Sequence, residues 1–156
     1  MTSCRIEISL NHKKENHFDV EVHARHQHLI YAIKNQPAEV KRAFAHHYGQ
    51  FCISAITAME LVFGAEKSSN VERNLNVIEG FMARLDVLEY DKVAAIQTAQ
   101  IKAELARCGT PIGSYDVMIA GHARSQGLIM VTNNLREFSR VSGLRSESWV
   151  AKPMSV

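Results

Sequence analysis

Several features are scarce in this 156-residue chain, and each absence excludes a class of protein. No apolar run reaches the ~18 residues that a membrane-spanning helix needs, and the polar first residues contain no apolar signal core. Only three cysteines occur, at positions 4, 52 and 108, without the spacing of a zinc site. We therefore expect a protein without a membrane span, in a reduced, cytoplasmic compartment.

Motifs of several common enzyme classes are also missing. No glycine-rich phosphate loop is present, so ATP and NAD are not expected as cofactors, and a phosphate-sensing or nucleotide-binding α/β module lacks its main sequence support. No serine lies in a Gly-x-Ser-x-Gly elbow, and no cysteine has a nearby histidine and asparagine to activate it. The net charge of +2 permits an RNA or phosphate partner without demonstrating one.

What the chain does contain is an alternation of short apolar strands and helical patterns, with 46% hydrophobic residues. Aromatic residues make up only 7%, which favours helices packed on a sheet over an all-β sandwich. We predict one α/β domain with a central parallel sheet flanked by helices. The expected boundaries are a disordered tail over residues 1–18, the domain over 19–150 with a degenerate first strand, and a C-terminal tail over 151–156.

Two acidic residues and one strand end form the candidate site. Asp116 lies in the first turn of a small apolar helix, where the helix dipole favours negative charge; simple capping of the helix is the alternative. Glu60 lies within an apolar helical pattern, so part of its side chain should be withdrawn from water; a structural role is the alternative. With Thr132 and Asn134 at the end of a strand, these oxygen ligands suit Mg²⁺ or Mn²⁺. Such an ion can activate water against a phosphodiester.

Four segments carry a family resemblance: C-I-S-A-I-T-A-M-E-L-V-F-G-A-E-K-S, E-R-N-L-N-V-I-E-G-F, G-T-P-I-G-S-Y-D-V-M-I-A-G-H-A-R and L-I-M-V-T-N-N-L-R-E-F-S-R-V. They resemble the PIN-domain toxins of the VapC family, and most closely the enterobacterial type that acts on initiator tRNA. The resemblance spans residues 30–150. It implies a PIN fold, a Mg²⁺-dependent endoribonuclease that cleaves tRNA, a VapB-type antitoxin and a homodimer.

Carried over residue by residue, the resemblance also implies roles for individual side chains. Glu60 and Asp116 match two of the family's acids, which would bind the metal. Thr132, Asn134 and Glu137 match its strand-end motif, in which Asn134 and Glu137 would form the outer part of the site.

The chain departs from the family at its first acid. The family opens with a strand ending in Asp-Thr-Asn, and counting back from Ile30 places Arg25 where that aspartate belongs. Codons chosen for residues 19–29 read M-L-K-F-M-L-D-T-N-T when shifted by one base, which is a family-like start. We therefore hypothesise that residues 1–29 are an out-of-frame translation. The alternative to an active toxin is then a nuclease-dead relic that binds antitoxin or RNA without cutting.

Weaker signals leave two readings each. Asp19 or Glu21 could replace the lost acid, and His26 with His28 could bind a softer metal, although a solvated histidine pair is the more common outcome. Six basic residues could contact phosphates or could simply be solvated: Lys34, Lys41, Arg42, Arg124, Arg136 and Arg140. Four apolar residues could line a groove for an antitoxin helix or could belong to the core: Leu61, Phe63, Ile78 and Phe81. We expect His122 to be a helix-face contact.

Overall fold

The structure is a computed structural model that describes residues 7–10, 42, 52–132 and 134–148. Its strands are β1 (Glu7–Leu10), β2 (Cys52–Ser54), β3 (Asp86–Leu88), β4 (Ile129–Thr132) and β5 (Arg145–Glu147). Its helices are α1 (Ala55–Glu66), α2 (Val71–Met82), α3 (Lys92–Arg107), α4 (Ser114–Gln126) and α5 (Leu135–Phe138). The sequence predicts strands at 51–53, 87–88, 128–131 and 144–145 and a marginal strand at 18–24. It predicts helices at 29–46, 54–67, 71–84, 91–107, 114–125 and 134–138. Each element predicted from residue 51 onward is confirmed to within about two residues, a common uncertainty for element ends. The helix predicted around residues 29–46 lies outside the described residues except for Arg42, which is helical.

The five strands form one sheet in the order β3-β2-β1-β4-β5. The outer pairs are parallel, as predicted: β2 with β3, and β4 with β5. The central strand β1 instead runs antiparallel to both of its neighbours, with Ser9 opposite Cys52 and Glu7 opposite Thr132. The sheet is therefore mixed, and the expectation of a wholly parallel sheet was wrong at its centre.

The position of β1 also differs from the expected disordered tail, because residues 7–10 lie inside it. A four-residue strand is too short to show a sustained period in the sequence, and its partners β2 and β4 are distant along the chain. Pairing through the backbone requires no particular side chains, so a slot between two strands can order a short segment of weak intrinsic preference. The marginal strand expected over residues 18–24 lies outside the described residues.

Helix ends follow the capping chemistry of the sequence. Ser54 begins α1 by accepting a hydrogen bond from the Ile56 amide at 3.1 Å. Asp91 begins α3 in the same way, accepting from the Ala94 amide at 2.8 Å. Gly127 ends α4 with a φ of 68°, a left-handed conformation that glycine adopts without steric cost. These caps fix where α1 and α3 begin and where α4 ends.

Two hydrophobic clusters cover the two faces of the sheet, because successive strand residues point to opposite sides. One cluster lies under α1 and α2 and contains Ile53, Leu61, Ala65, Ile78, Ile129 and Val131. The other lies under α3 and α4 and is built around Cys52, Ile101, Ile119, Ala120, Met130 and Phe138. Among the groove candidates, Leu61 and Ile78 therefore belong to the core and Phe81 packs against it. Phe63 is 58% exposed.

Helices α3 and α4 approach closely at Gly121. A Cβ atom at this position would overlap the backbone and hydroxyl group of Thr98. Thr98 accepts a hydrogen bond from the Tyr90 hydroxyl at 2.7 Å, so the contact is polar as well as tight.

Among the described helices, none is both long and apolar enough to span a bilayer.

Candidate active site

Asp116 is the most buried acid of the described residues, at 3% exposure. It lies in the first turn of α4, whose N-cap residue, Gly113, makes no side-chain capping bond. A Cβ atom on Gly113 would lie 2.5 Å from Asp116 Oδ2, so the carboxylate fills the space that any other residue at position 113 would need. The carboxylate thus packs against the loop that leads into its own helix, at the positive end of the helix dipole.

Glu60 lies on α1, the helix that packs against α4. Its side chain is half-buried, and its Oε2 atom has no contact with solvent. Thr57, one turn earlier on the same face, is fully buried, and its hydroxyl has no hydrogen-bond partner within the described residues. The expectation that Glu60 is withdrawn from water is confirmed for this oxygen.

A buried hydrogen bond joins the two helices that carry the acids. His122 Nδ1 on α4 lies 2.8 Å from the Ser54 hydroxyl, which is also the cap of α1. The His122 ring meets the Tyr90 ring edge-on, with the centroids 5.6 Å apart. Burial lowers the pKa of His122, and the negative charge of Asp91 opposes this in part. His122 is therefore the helix-face contact that was expected, and it fixes α1 against α4.

The strand-end motif folds into a compact turn after β4. Thr132 is fully buried, and its hydroxyl accepts a hydrogen bond from the Asn134 amide at 3.0 Å. The sequence predicts that the Asn134 side chain caps the turn up to Phe138, but Asn134 begins α5 without a side-chain capping bond, so that prediction was wrong. Asn134 is 8% exposed, and its side-chain Nδ2 has no hydrogen-bond partner within the described residues. The side-chain NH₂ group of Asn134 can therefore donate to a ligand, since it does not cap the helix.

An open cleft of about 470 Å³ lies between the loop before α4 and the segment after β4. It is lined by Pro111, Ile112, Gly113, Asn134, Arg136, Glu137 and Arg140. The structure thus brings Asn134 and Glu137 together beside Gly113, against which Asp116 packs. Glu60 does not line this cleft; it is delivered from α1, which packs against α4. The position of Pro111 and Ile112 at the cleft was not predicted from the sequence. The available signal was the Pro-Ile-Gly stretch directly before a helix.

Carboxylate and amide oxygens are the donors that Mg²⁺ prefers, and Mg²⁺ commonly takes only one or two protein carboxylates. Asp116 and Glu60, each with an oxygen shielded from water, fit that ion in kind. Over residues 52–132 and 134–148, however, no group of three or more His, Cys, Asp or Glu side chains is arranged to hold a metal. Arg25, Asp19, Glu21, His26 and His28 lie outside the described residues.

Of the six basic residues considered for phosphate contact, Arg124 has a structural role instead. Its guanidinium group donates to Gln97 Oε1 at 2.6 Å and to the Ser142 carbonyl at 2.9 Å, and it forms an ion pair with Glu104 at 3.4 Å. Arg136 and Arg140 line the cleft. Lys34 and Lys41 lie outside the described residues.

Comparison with known proteins identifies the family of this chain. The PIN domain model matches residues 28–144. The tRNA(fMet)-specific endonuclease VapC of Shigella flexneri is 62% identical over 120 residues, which is 77% of this chain and 91% of that protein. DNA-bound VapBC from Salmonella typhimurium superposes with a TM-score of 0.74 at 60% identity, covering 78% of this chain and 92% of that one. VapBC2 from Rickettsia felis, bound to a promoter DNA fragment, gives a TM-score of 0.76 at 28% identity, covering 84% and 99%.

The family model and the structural similarity show that this chain is a PIN domain, the fold of a family of nucleases. Within that family, the chain belongs to the VapC toxins of VapBC toxin–antitoxin systems. The family resemblance and the α/β fold predicted from the sequence are both confirmed.

Proposed function

We propose that this protein is the toxin of a toxin–antitoxin pair and an endoribonuclease that cleaves tRNA, with the initiator tRNA anticodon stem–loop as its substrate. The observation that carries the proposal is the buried Asp116 carboxylate, packed on Gly113 at the wall of an open polar cleft. The 62% identity to a tRNA(fMet)-specific endonuclease supports the choice of substrate. We further propose a VapB-type antitoxin as partner, since three of the similar solved structures are VapBC complexes, and a homodimer acting in the cytoplasm.

In this mechanism Asp116 and Glu60 would hold Mg²⁺ or Mn²⁺ through their carboxylate oxygens. When bound, such an ion supplies water activation and stabilises the leaving oxygen of the phosphodiester. Asn134 offers a buried amide to the substrate from the end of β4, and Glu137 places a second carboxylate in the cleft. The Ser54–His122 bond fixes α1 on α4, so the two acids are held in place before substrate arrives.

A nuclease-dead PIN fold is the second candidate, and one observation favours it. Counting back from Ile30, Arg25 occupies the place of the family's first aspartate. An arginine in place of an aspartate exchanges −1 for +1 beside a divalent cation. At ~4 Å and an effective dielectric of about 20, each unit of charge interaction is worth roughly 4 kcal/mol. Such a protein could still bind antitoxin or RNA.

Cleavage of a labelled initiator tRNA anticodon stem–loop in Mg²⁺ tests the two candidates. The comparison includes the unaltered chain, Arg25→Asp, and a version whose residues 1–29 are replaced by the frame-shifted start. We expect weak cutting by the unaltered chain and strong, EDTA-sensitive cutting by the frame-shifted version, which Asp116→Ala abolishes. Strong cutting by the unaltered chain would exclude the nuclease-dead candidate. Cutting by none of the versions would exclude the endoribonuclease.

A further inference from the structure

Two exposed arginines differ from the other described cations because they line the cleft and their guanidinium groups form no hydrogen bond or ion pair within the described residues. Arg136 lies on α5, and Arg140 lies four residues later in the turn that follows. Within the described residues, no ion pair or hydrogen bond is made by either guanidinium group. Arg124 provides the contrast, because its guanidinium group is held by Gln97, Glu104 and Ser142. The two cleft arginines are thus available to a ligand.

Asn134 adds an independent sign of a ligand at the same place. Its side chain is 8% exposed and lines the cleft, and its Nδ2 has no acceptor among residues 52–132 and 134–148. A buried amide hydrogen is costly to leave without an acceptor, so an acceptor oxygen from outside the chain would relieve it. Two guanidinium groups and one amide NH₂ are all hydrogen-bond donors. A ligand that matches them carries negative charge and several acceptor oxygens.

The charge of the cleft limits how much anion it can accept. Arg136 and Arg140 contribute +2 and Glu137 contributes −1, which leaves +1 at neutral pH. That balance suits a single phosphodiester group, which carries one negative charge, better than a phosphate cluster. Planar guanidinium groups match the paired oxygens of a phosphodiester in a two-point contact, which favours arginine over lysine for such a role.

The cleft is adjacent to Asp116 without containing its carboxylate. Gly113 lines the cleft and at the same time is the residue against which Asp116 Oδ2 packs. A phosphodiester in the cleft would therefore be a neighbour of the one that meets Asp116. We propose that Arg136, Arg140 and Asn134 form a phosphate subsite that binds the RNA backbone next to the cleaved bond. This subsite rests on the proposed function, because it takes the same RNA, and it positions the substrate without taking part in bond cleavage.

Salt-dependent RNA binding tests the subsite without relying on activity. A fluorescent initiator tRNA anticodon stem–loop is titrated with the full chain in EDTA, which removes divalent ions, and the association constant is measured over a series of KCl concentrations. Arg136→Gln and Arg140→Gln remove one charge each, and Arg136→Lys keeps the charge. Arg84→Gln is the matched control, because Arg84 is exposed and lies outside the cleft. Thermal unfolding of each variant verifies that it is folded.

We expect each glutamine variant to reduce the slope of log K against log[salt] by about 0.7, the value for one phosphate contact with a single strand. Arg136→Lys should retain the slope, and Arg84→Gln should leave it unchanged. Unchanged slopes in both glutamine variants would overturn the subsite, as would an equal loss in Arg84→Gln. If the two substitutions weaken binding of an antitoxin but not of RNA, the cleft is a protein-binding surface and the proposal is wrong.

Cleavage by the unaltered chain is assayed separately in Mg²⁺, so the two proposals can fail independently. Reduced slopes with no cleavage by any version would leave the subsite in place and overturn the endoribonuclease. Cleavage with unchanged slopes would support the endoribonuclease and overturn the subsite.

Discussion

Gly113 shapes the site through the methyl group that it lacks. Its φ of −55° is open to any residue, so conformational freedom does not explain glycine here. The close approach of Asp116 Oδ2 does explain it, since a Cβ atom would lie 2.5 Å from that oxygen. This requirement could not be predicted from the sequence, because glycine before a helix has several common causes. It becomes visible only when the carboxylate is seen folded back on its own loop.

Gly113→Ala should destabilise the protein by about 1–3 kcal/mol, the usual cost of forcing an extra methyl group into a filled space. Gly80→Ala is the matched control: Gly80 lies within α2, and a Cβ there meets nothing within 4 Å. That substitution should stabilise the protein by about 0.5–1 kcal/mol through helix propensity. Urea unfolding of both variants measures the free energies. Equal effects in the two variants would contradict the packing of Asp116 on Gly113.

Arginines of the same chain show a second limit at the residue scale. The sequence offered Arg124, Arg136 and Arg140 as equivalent candidates for phosphate contact. The structure separates them, because the half-buried Arg124 joins α3, α4 and the loop before β5, whereas the other two line the cleft. Helical spacing shows which face a residue occupies, but it does not show which distant residues will meet that face. The burial of Asp116 and of one Glu60 oxygen was easier to predict, because a carboxylate inside an apolar pattern is unusual by itself.

Among the elements, α1 and α4 act as a pair. Ser54 is the last residue of β2, and its hydroxyl group both caps α1 and hydrogen-bonds to His122 on α4. One hydroxyl group thus connects the end of a strand with two helices. The caps of α1 and α3 were predictable because capping is a local interaction between residues two or three apart. The Ser54–His122 bond joins residues 68 positions apart. No local pattern could have indicated it.

The pair should respond to acid through His122. Because burial lowers its folded-state pKa below the ordinary 6.5, the unfolded chain takes up a proton first as the pH falls. The stability associated with neutral His122 is complete above about pH 6.5 and is lost as the pH falls through the lowered folded-state pKa. Among the described residues, the charge of Asp91 moderates the effect, and the Tyr90 ring contacts the imidazole edge-on.

His122→Gln should therefore lose less stability than the unaltered protein between about pH 7.5 and about pH 5.5. The readout is the change with pH, measured by urea unfolding at both values, because the substitution also alters packing at neutral pH. The other histidines of the chain are common to both proteins, so their titration cancels in the comparison. An identical pH dependence in the two proteins would show that His122 is not protonated on unfolding.

For the molecule as a whole, the predictable part is the framework from β2 to β5. Its elements, their order and their parallel pairing follow from alternating strands and helices. The central strand could not be predicted, because β1 is short and its register depends on β2 and β4. Because β1 is antiparallel to β4, the first residue of β1, Glu7, pairs with Thr132, and the last residue of β1 lies at the opposite end of β4.

Removal of residues 1–10 should destabilise the whole molecule, because β2 and β4 would face each other with unpaired backbone groups. We expect a lower midpoint of urea unfolding and aggregates by size-exclusion chromatography. Removal of residues 151–156, predicted as a tail, is the control and should leave both measurements unchanged. A monodisperse product of undiminished stability after removal of residues 1–10 would show that β1 is dispensable.

The reversed central strand has a consequence for how such a protein can change over generations. Amide and carbonyl groups are the same in every residue, so the gap between β2 and β4 can be closed by a strand of either direction and of many sequences. A catalytic acid has no such substitute, since it must arrive at one point with one charge. Substitution of a catalytic acid therefore removes chemistry, while the architecture persists because the central position of the sheet needs only backbone pairing.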